Sequence, residues 1–279
     1  MSFALWGSAN GISLYAQKIN LKFDEVSIDS TICEFTFPAK ESLELTKLKQ
    51  RYDLESIVKN DKKEIDKAIS ILAWTHSRWK HDGNNVPEKY DPLYILEQAD
   101  KGERYRCVEY SIVLSAVCNA IGLPSRVIGI KKKDVETNKY GAGHIVSETY
   151  MPALNKWIFM DAQMNYIPFL NDIPLNAVEY RKAIQMNSEN IELRNKQGVI
   201  SKRKARKLIK WVMPYLYYFD APFDASQKRE KCNGKSRVML VPVDAKKPKK
   251  FQVYTPLDYL IYTYNVRDFY KTPIKNSEK

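Results

Sequence analysis

The stretch from Cys107 to Lys131 constrains the fold more than any other part of the chain. Val108, Ile112, Val113, Ala116, Val117, Ala120 and Ile121 recur at helical spacing and give a broad apolar face. Gly122 is a natural helix C-cap, and Pro124 forbids continuation. SRVIGIK, residues 125–131, then reads as a strand. An apolar helix that must turn at a fixed point into a strand packs on the sheet it feeds. A polar loop follows from Lys132 to Gly143, then two more strands, from about His144 to Met151 and from Trp157 to Asp161. Helices followed by consecutive strands predict an α+β domain with helices packed on an antiparallel sheet.

Upstream, Ile65, Ala68, Ile69, Leu72, Ala73, His76 and Trp79 mark a helix that Asp61 begins and Gly83 follows. Asp61 and Glu64 have the spacing of a capping box. Asp91 to Gln98 reads as a shorter helix with Pro92 at its first position. Between Leu21 and Phe37, Phe23, Val26, Ile28, Ile32, Phe35 and Phe37 partly alternate with polar residues, which predicts two short strands ending at Pro38. Beyond Asn165 the pattern weakens. Helices are expected at 178–184 and 202–211, and strands at 238–243 and 251–254. The chain has 279 residues and 44% hydrophobic content, enough for a substantial core. The expected division is an N-terminal extension, partly β, over 1–60, a core over 61–170, and a C-terminal α/β extension packed on it over 171–279. The end from Lys271 to Lys279 reads as frayed. No internal repeat is present.

The net charge is +12, with basic runs at 131–133, 202–210 and 246–250. A lysine-rich solvated surface is the default reading and an anionic partner the alternative. Nucleic acid is disfavoured, since no zinc-finger spacing, RNP-type aromatic motif or helix-turn-helix accompanies the charge. Cys33, Cys107, Cys118 and Cys232 form no CxxC pair. A core of this size does not need disulfides, which makes a reducing, cytoplasmic location the simpler expectation. The start, MSFALWGSANG, is a poor signal peptide, although a secreted chain trimmed of its leader would look the same. No stretch is apolar for long enough to span a bilayer.

Cys107 opens its helix. There it meets the positive end of the macrodipole and unpaired N–H groups, which favour the ionised, nucleophilic sulfur. Arg104 and Arg106 are expected to add to that field, and the same N–H groups could hold an oxyanion. Cys118 falls mid-helix and reads as core; Cys33 and Cys232 read as structural or incidental. His76 and His81, five residues apart, do not share a helix face, and packing or support is their expected role. His144 begins a strand after Gly141-Ala142-Gly143, which predicts an imidazole at a sheet edge with room for substrate. Asp161 ends the next strand. A hairpin loop of even length puts imidazole and carboxylate on one face, whereas an odd loop separates them. With Met151 opposite Lys156, Val146 opposes Asp161 and His144 is its diagonal neighbour; if the paired numbers sum to 305 instead, His144 opposes Asp161 directly. Taken singly, Asp161 is by default a turn residue.

Three blocks together resemble the transglutaminase-like superfamily: the WTHSRWKHDG helix, CVEYSIVLSAVCNAIGLPSRVIG (107–129), and HIVSETYMPALNKWIFMDAQMN (144–165). The resemblance covers about residues 61–165. It implies a transglutaminase-like, cysteine-proteinase-like core with Cys107 as nucleophile, His144 as base and Asp161 as the group that orients the base. It also implies structural roles for Gly122, Pro124 and Arg126, and bracing roles for Glu148 and Trp157. Val146 departs from the tryptophan that many members carry two residues after the histidine. No acidic cluster resembles a calcium site, and no metal or cofactor is expected. The implied activity is acyl transfer from an amide through a thioester, with hydrolysis of a peptide or protein substrate as first choice. The alternatives are transamidation and a non-catalytic binding module with a basic surface for an anionic polymer.

Overall fold

The computed structural model describes residues 20–26, 29, 31–186, 189–226 and 232–273. The expectations for the first residues, for Ile28 and for 274–279 lie outside this set. In chain order the elements are α1 (Leu43–Arg51), α2 (Leu54–Val58), α3 (Glu64–Ser77), α4 (Pro92–Asp100), α5 (Cys107–Ala120), β1 (Ser125–Lys131), β2 (Gly143–Met151) and β3 (Lys156–Met160). Then come β4 (Ile167–Leu170), β5 (Ile173–Pro174), α6 (Ala177–Gln185), β6 (Ile191–Asn195), β7 (Gly198–Val199) and α7 (Lys202–Val212). The chain continues with β8 (Tyr218–Pro222), β9 (Arg237–Leu240), β10 (Lys250–Phe251), β11 (Thr255–Pro256), β12 (Leu260–Thr263) and α8 (Val266–Phe269).

The main sheet has six strands in the order β12-β9-β8-β1-β2-β3. Its pairs are antiparallel except β12 with β9, which run parallel. Side chains alternate across it. Met151, Ile158 and Met160 pack with α1–α5, including Ile112, Val113 and Val117 of α5. Ile128, Ile130, Val146 and Phe159 pack on a second core with Val178 and Ala183 of α6 and Ala205 and Val212 of α7. A four-stranded sheet, β5-β4-β6-β7, lies beside these layers. The α5-to-β1 turn follows the sequence signals: Gly122 takes φ +84°, a left-handed conformation that favours glycine.

Some expectations fail locally. α3 begins at Glu64, with Lys63 at its N-cap, and no Asp61 capping box forms. The Asp61 carboxylate instead accepts a hydrogen bond from Ser70 Oγ, and Glu64 accepts one from the Ala153 N–H. The described part of 20–37 makes only single bridges, Asp24 to Asn265 and Thr36 to Asp224, in place of two strands. Its alternation is real, but no neighbouring strand supplies a ladder. The helices α1 and α2 lie where no helix was expected. Cys33 and Cys232 form a disulfide with a Cα–Cα separation of 5.7 Å across 199 residues of sequence. That pairing removes the premise of the reducing-compartment expectation without choosing a compartment. Among the described residues, no helix is long and apolar enough to cross a membrane.

One buried ion pair ties these parts together. Arg126 lies opposite Glu148 in the β1–β2 register. Its Nη2 donates to Glu148 Oε2 at 3.0 Å, and both side chains are fully buried. Nη1 donates to the Phe269 carbonyl at 2.8 Å. The rings of Trp157, Phe269, Phe35 and Tyr270 surround the guanidinium at 4.3, 4.5, 4.9 and 5.4 Å. Glu148 Oε1 accepts from the Ala177 N–H of α6 at 2.9 Å and from Tyr270 Oη at 2.8 Å. Removing one member leaves an uncompensated buried charge. Arg126→Met is therefore expected to cost about 3–5 kcal/mol in urea unfolding, and a loss below about 1 kcal/mol would show that the pair is not structural.

Candidate active site

Cys107 is the first residue of α5 and is half-buried. The helix start is fixed by Glu109: its Oε2 accepts the Arg106 N–H at 3.0 Å, and its Oε1 takes Arg106 Nη2 at 2.6 Å. Glu109 is fully buried, so this contact anchors the first turn. It also corrects an expectation. Arg106 is neutralised by Glu109 and does not act as an independent cation beside the sulfur.

The hairpin loop has four residues, Pro152–Asn155, and Met151 pairs with Lys156. Ladder pairing runs on to Ser147 opposite Met160. Continued by one step, that register sets Val146 opposite Asp161 with His144 diagonal to it. His144 Nε2 lies 2.9 Å from Asp161 Oδ2. The second carboxylate oxygen, Oδ1, accepts the Met164 N–H at 2.9 Å. The turn after β3 is closed by two backbone bonds between Asp161 and Tyr166, at 3.1 and 3.2 Å. With Nε2 turned to Asp161, Nδ1 is the ring nitrogen left to face Cys107, which lies close enough to raise the proton affinity of the imidazole. Cys107, His144 and Asp161 are thus brought together.

His144 is not at an open sheet edge, as its position after two glycines suggested. It is 3% exposed, on a strand flanked by β1 and β3. Trp211 meets it edge-on at 4.9 Å between centroids, and Tyr215 lies at 6.1 Å. Lys132 Nζ sits 4.7 Å over the Tyr215 ring. These three residues were not singled out from sequence, because nothing local ties the end of α7 to β2. Gly143 serves a packing need: a Cβ there would come within 2.9 Å of the Phe251 ring.

Burial favours neutral imidazole. The field of Asp161, the hydrogen bond to it and the contact with Cys107 outweigh that effect and raise the His144 pKa to about 9. His76 Nδ1 hydrogen-bonds to the Ala162 carbonyl at 2.9 Å, steadying the residue after Asp161 in the supporting role expected of it. His81 lies on a loop stitched to the approach to Cys107: the Asp82 N–H donates to the Tyr105 carbonyl at 3.0 Å, and Asn85 Nδ2 to the Arg104 carbonyl at 2.8 Å. Desolvation and then the charge of His144 hold the His81 pKa below the usual histidine value. Cys118 is fully buried, and burial pushes its thiol up to about 12. Among the described residues, no three His, Cys, Asp or Glu side chains converge as a metal-binding group.

A folded imidazole raised from 6.5 to about 9 stabilises the fold fully below about pH 6.5, and that contribution is lost as pH rises through about 9. A proton NMR titration is expected to place the His144 inflection near pH 9, with unfolding free energy falling from pH 6.5 to 9. Asp161→Asn should lower the inflection and flatten the fall. An inflection near 6.5 in the unsubstituted protein would contradict the geometry.

Residues 54–162 match the family model for the transglutaminase-like superfamily. A search of curated proteins finds no match. Similar solved structures include "a Putative Cysteine Protease from Cytophaga hutchinsonii", 17% identical, covering 51% of this chain and 46% of that chain at a TM-score of 0.36. A "putative protease from Parabacteroides distasonis" is 15% identical over 58% of this chain and 28% of that one, at a TM-score of 0.33. The red sea bream transglutaminase is 13% identical over 46% and 28%, at a TM-score of 0.30. This chain spans less than half the length of each. Cys107, His144 and Asp161 all fall within the residues that match the transglutaminase-like superfamily model.

Proposed function

We propose that the protein performs cysteine-dependent acyl transfer on amide bonds, with hydrolysis of a peptide or protein as the primary reaction. The observation that carries this reading is the 2.9 Å contact between His144 Nε2 and Asp161 Oδ2, with Cys107 close enough to the same ring to raise its proton affinity. In this reading residues 61–170 supply the reacting groups and residues 171–279 supply their cover. The superfamily match supports a cysteine enzyme in general terms.

The steps follow from the roles. His144 takes the Cys107 thiol proton as sulfur attacks the amide carbonyl carbon. Asp161 fixes the ring orientation and offsets the imidazolium charge. N–H groups in the first turn of α5, which lack intrahelical partners, face the developing oxyanion. Collapse breaks the C–N bond, and the imidazolium gives its proton to the leaving amine. Water then attacks the thioester, its proton passes to His144, and the thiol is restored as the acid leaves. Cys107 is half-buried, which leaves the thioester within reach of water. Amine attack in place of water is the second reading. It is favoured by the Trp211 and Tyr215 rings, which shield His144 on one side.

Incubation with a peptide library, with and without a labelled primary amine, separates the readings. New termini without amine incorporation mean hydrolysis; label in the product means transamidation. Cys107→Ala should abolish either product, and His144→Ala should lower kcat/KM by at least about 1,000-fold, more than Asp161→Ala does. Turnover that survives Cys107→Ala would refute the reading.

A further inference from the structure

The most concentrated charge on the chain leads toward His144. The sequence of α7, KRKARKLIKWV, holds six cations and no acid. Ala205, Leu208, Ile209 and Val212 face the core, which turns all six cations outward. Lys202, Arg203 and Lys204 occupy the first turn, where positive charge opposes the helix dipole. Among the described residues, no ion pair offsets Lys202, Arg203, Lys204, Arg206 or Lys207. In each of the other basic runs one lysine is paired, while Lys132, Lys133, Lys247, Lys249 and Lys250 have no ion pair among the described residues. Lys131 is buried against Asp220, and Lys246 pairs with Glu136 at 2.8 Å. The first-turn charges of α7 therefore weaken the helix, and no ion pair among the described residues offsets them.

The C-terminal end of α7 closes on the site. Trp211 is 37% exposed and meets the imidazole edge-on, while Lys132 lies over Tyr215 beside it. An open groove of about 2120 Å³ runs along α7, with Lys132, Lys133, Lys202, Arg206 and Lys210 in its walls. That volume exceeds the roughly 300–1,000 Å³ of small-molecule sites and suits a polymer. In the same walls Lys182 is paired with Glu25 and Arg194 with Glu192, while Lys132, Lys133, Lys202 and Arg206 have no ion pair among the described residues.

We propose that α7 docks an acidic segment of the polypeptide substrate and delivers the adjoining amide past Trp211 to Cys107. This rests on the acyl-transfer reading and adds the substrate class. The eleven residues of α7 span roughly 16 Å at 1.5 Å each, the length of about five extended residues. A polypeptide is favoured over a nucleic acid because the ligand must present an amide carbonyl to sulfur. The approach also offers Trp211 and Tyr215 at its end, not a row of aromatic rings on which successive bases stack.

Fluorescence anisotropy on the Cys107→Ala chain tests docking apart from chemistry. The probes are a fluorescein-labelled peptide with a block of five glutamates, its glutamine counterpart, and a single-stranded oligonucleotide of equal charge. The glutamate peptide is expected to bind at least tenfold more tightly than the glutamine peptide and to weaken steeply between 50 and 300 mM salt. The triple variant Lys204→Gln, Arg206→Gln, Lys207→Gln should lose most of that preference while keeping its circular dichroism and melting temperature. Equal binding of the two peptides, an unaffected triple variant, or tighter binding of the oligonucleotide would overturn the proposal. If the wild-type chain turns over both peptides equally well, docking fails while the acyl-transfer reading stands. If the glutamate peptide binds but no amide ever reacts, docking stands and the enzyme reading fails.

Discussion

The fold depends on the guanidinium of Arg126. It sits where four segments distant in sequence meet: β1, β2, the N-terminal strand-like segment that carries Phe35, and the C-terminal segment that carries Phe269 and Tyr270. A charge placed there without Glu148 would be costly, and the pair holds because its polar partners and ring faces are all supplied together. The consequence reaches the site. Glu148 is four residues beyond His144 on β2, and by alternation both point to the same face. The pairing of Arg126 with Glu148 sets the register of β2 against β1, and through β3 it sets where Asp161 falls.

The same layer explains the protonation of His144. Trp211 and Tyr215 remove the imidazole from water, which alone would discharge it. Asp161, itself 1% exposed and with both oxygens in use, reverses that outcome. In the proposed reaction an imidazole of such raised proton affinity keeps the proton it draws from sulfur until the leaving amine takes it. The cover over His144 comes from the end of α7, the helix that also bears Lys202, Arg203, Lys204, Arg206 and Lys207. In the proposed reading, shielding of the base and presentation of charge to a substrate are carried by one short element.

What the sequence revealed was local. The helical period of α5, the positive-φ glycine at 122 and the proline at 124 fix the helix-to-strand turn within a few residues. The parity of the Pro152–Asn155 loop made the His144–Asp161 contact derivable, since strand side chains alternate with period two. What stayed hidden depends on distant partners. The strands β8 and β12 are five and four residues long and acquire meaning only by pairing, β8 with β1 and β9, and β12 with β9. Alternation near Leu21–Phe37 looked like strands because apolar side chains alternate there, yet the backbone finds only single bridges. The disulfide joins cysteines with no spacing signature, and the Trp211 cover over His144 follows from the path of the chain after β7.

All of this converges on whether the sulfur of Cys107 is activated by its imidazole. Iodoacetamide labelling near neutral pH, resolved by mass spectrometry on the unsubstituted chain and on His144→Ala, measures that directly. Rapid modification of Cys107, with Cys118 untouched and the rate collapsing in His144→Ala, is the expected result. Cys107 reacting no faster than an ordinary exposed thiol, at a rate His144→Ala leaves unchanged, would contradict the account.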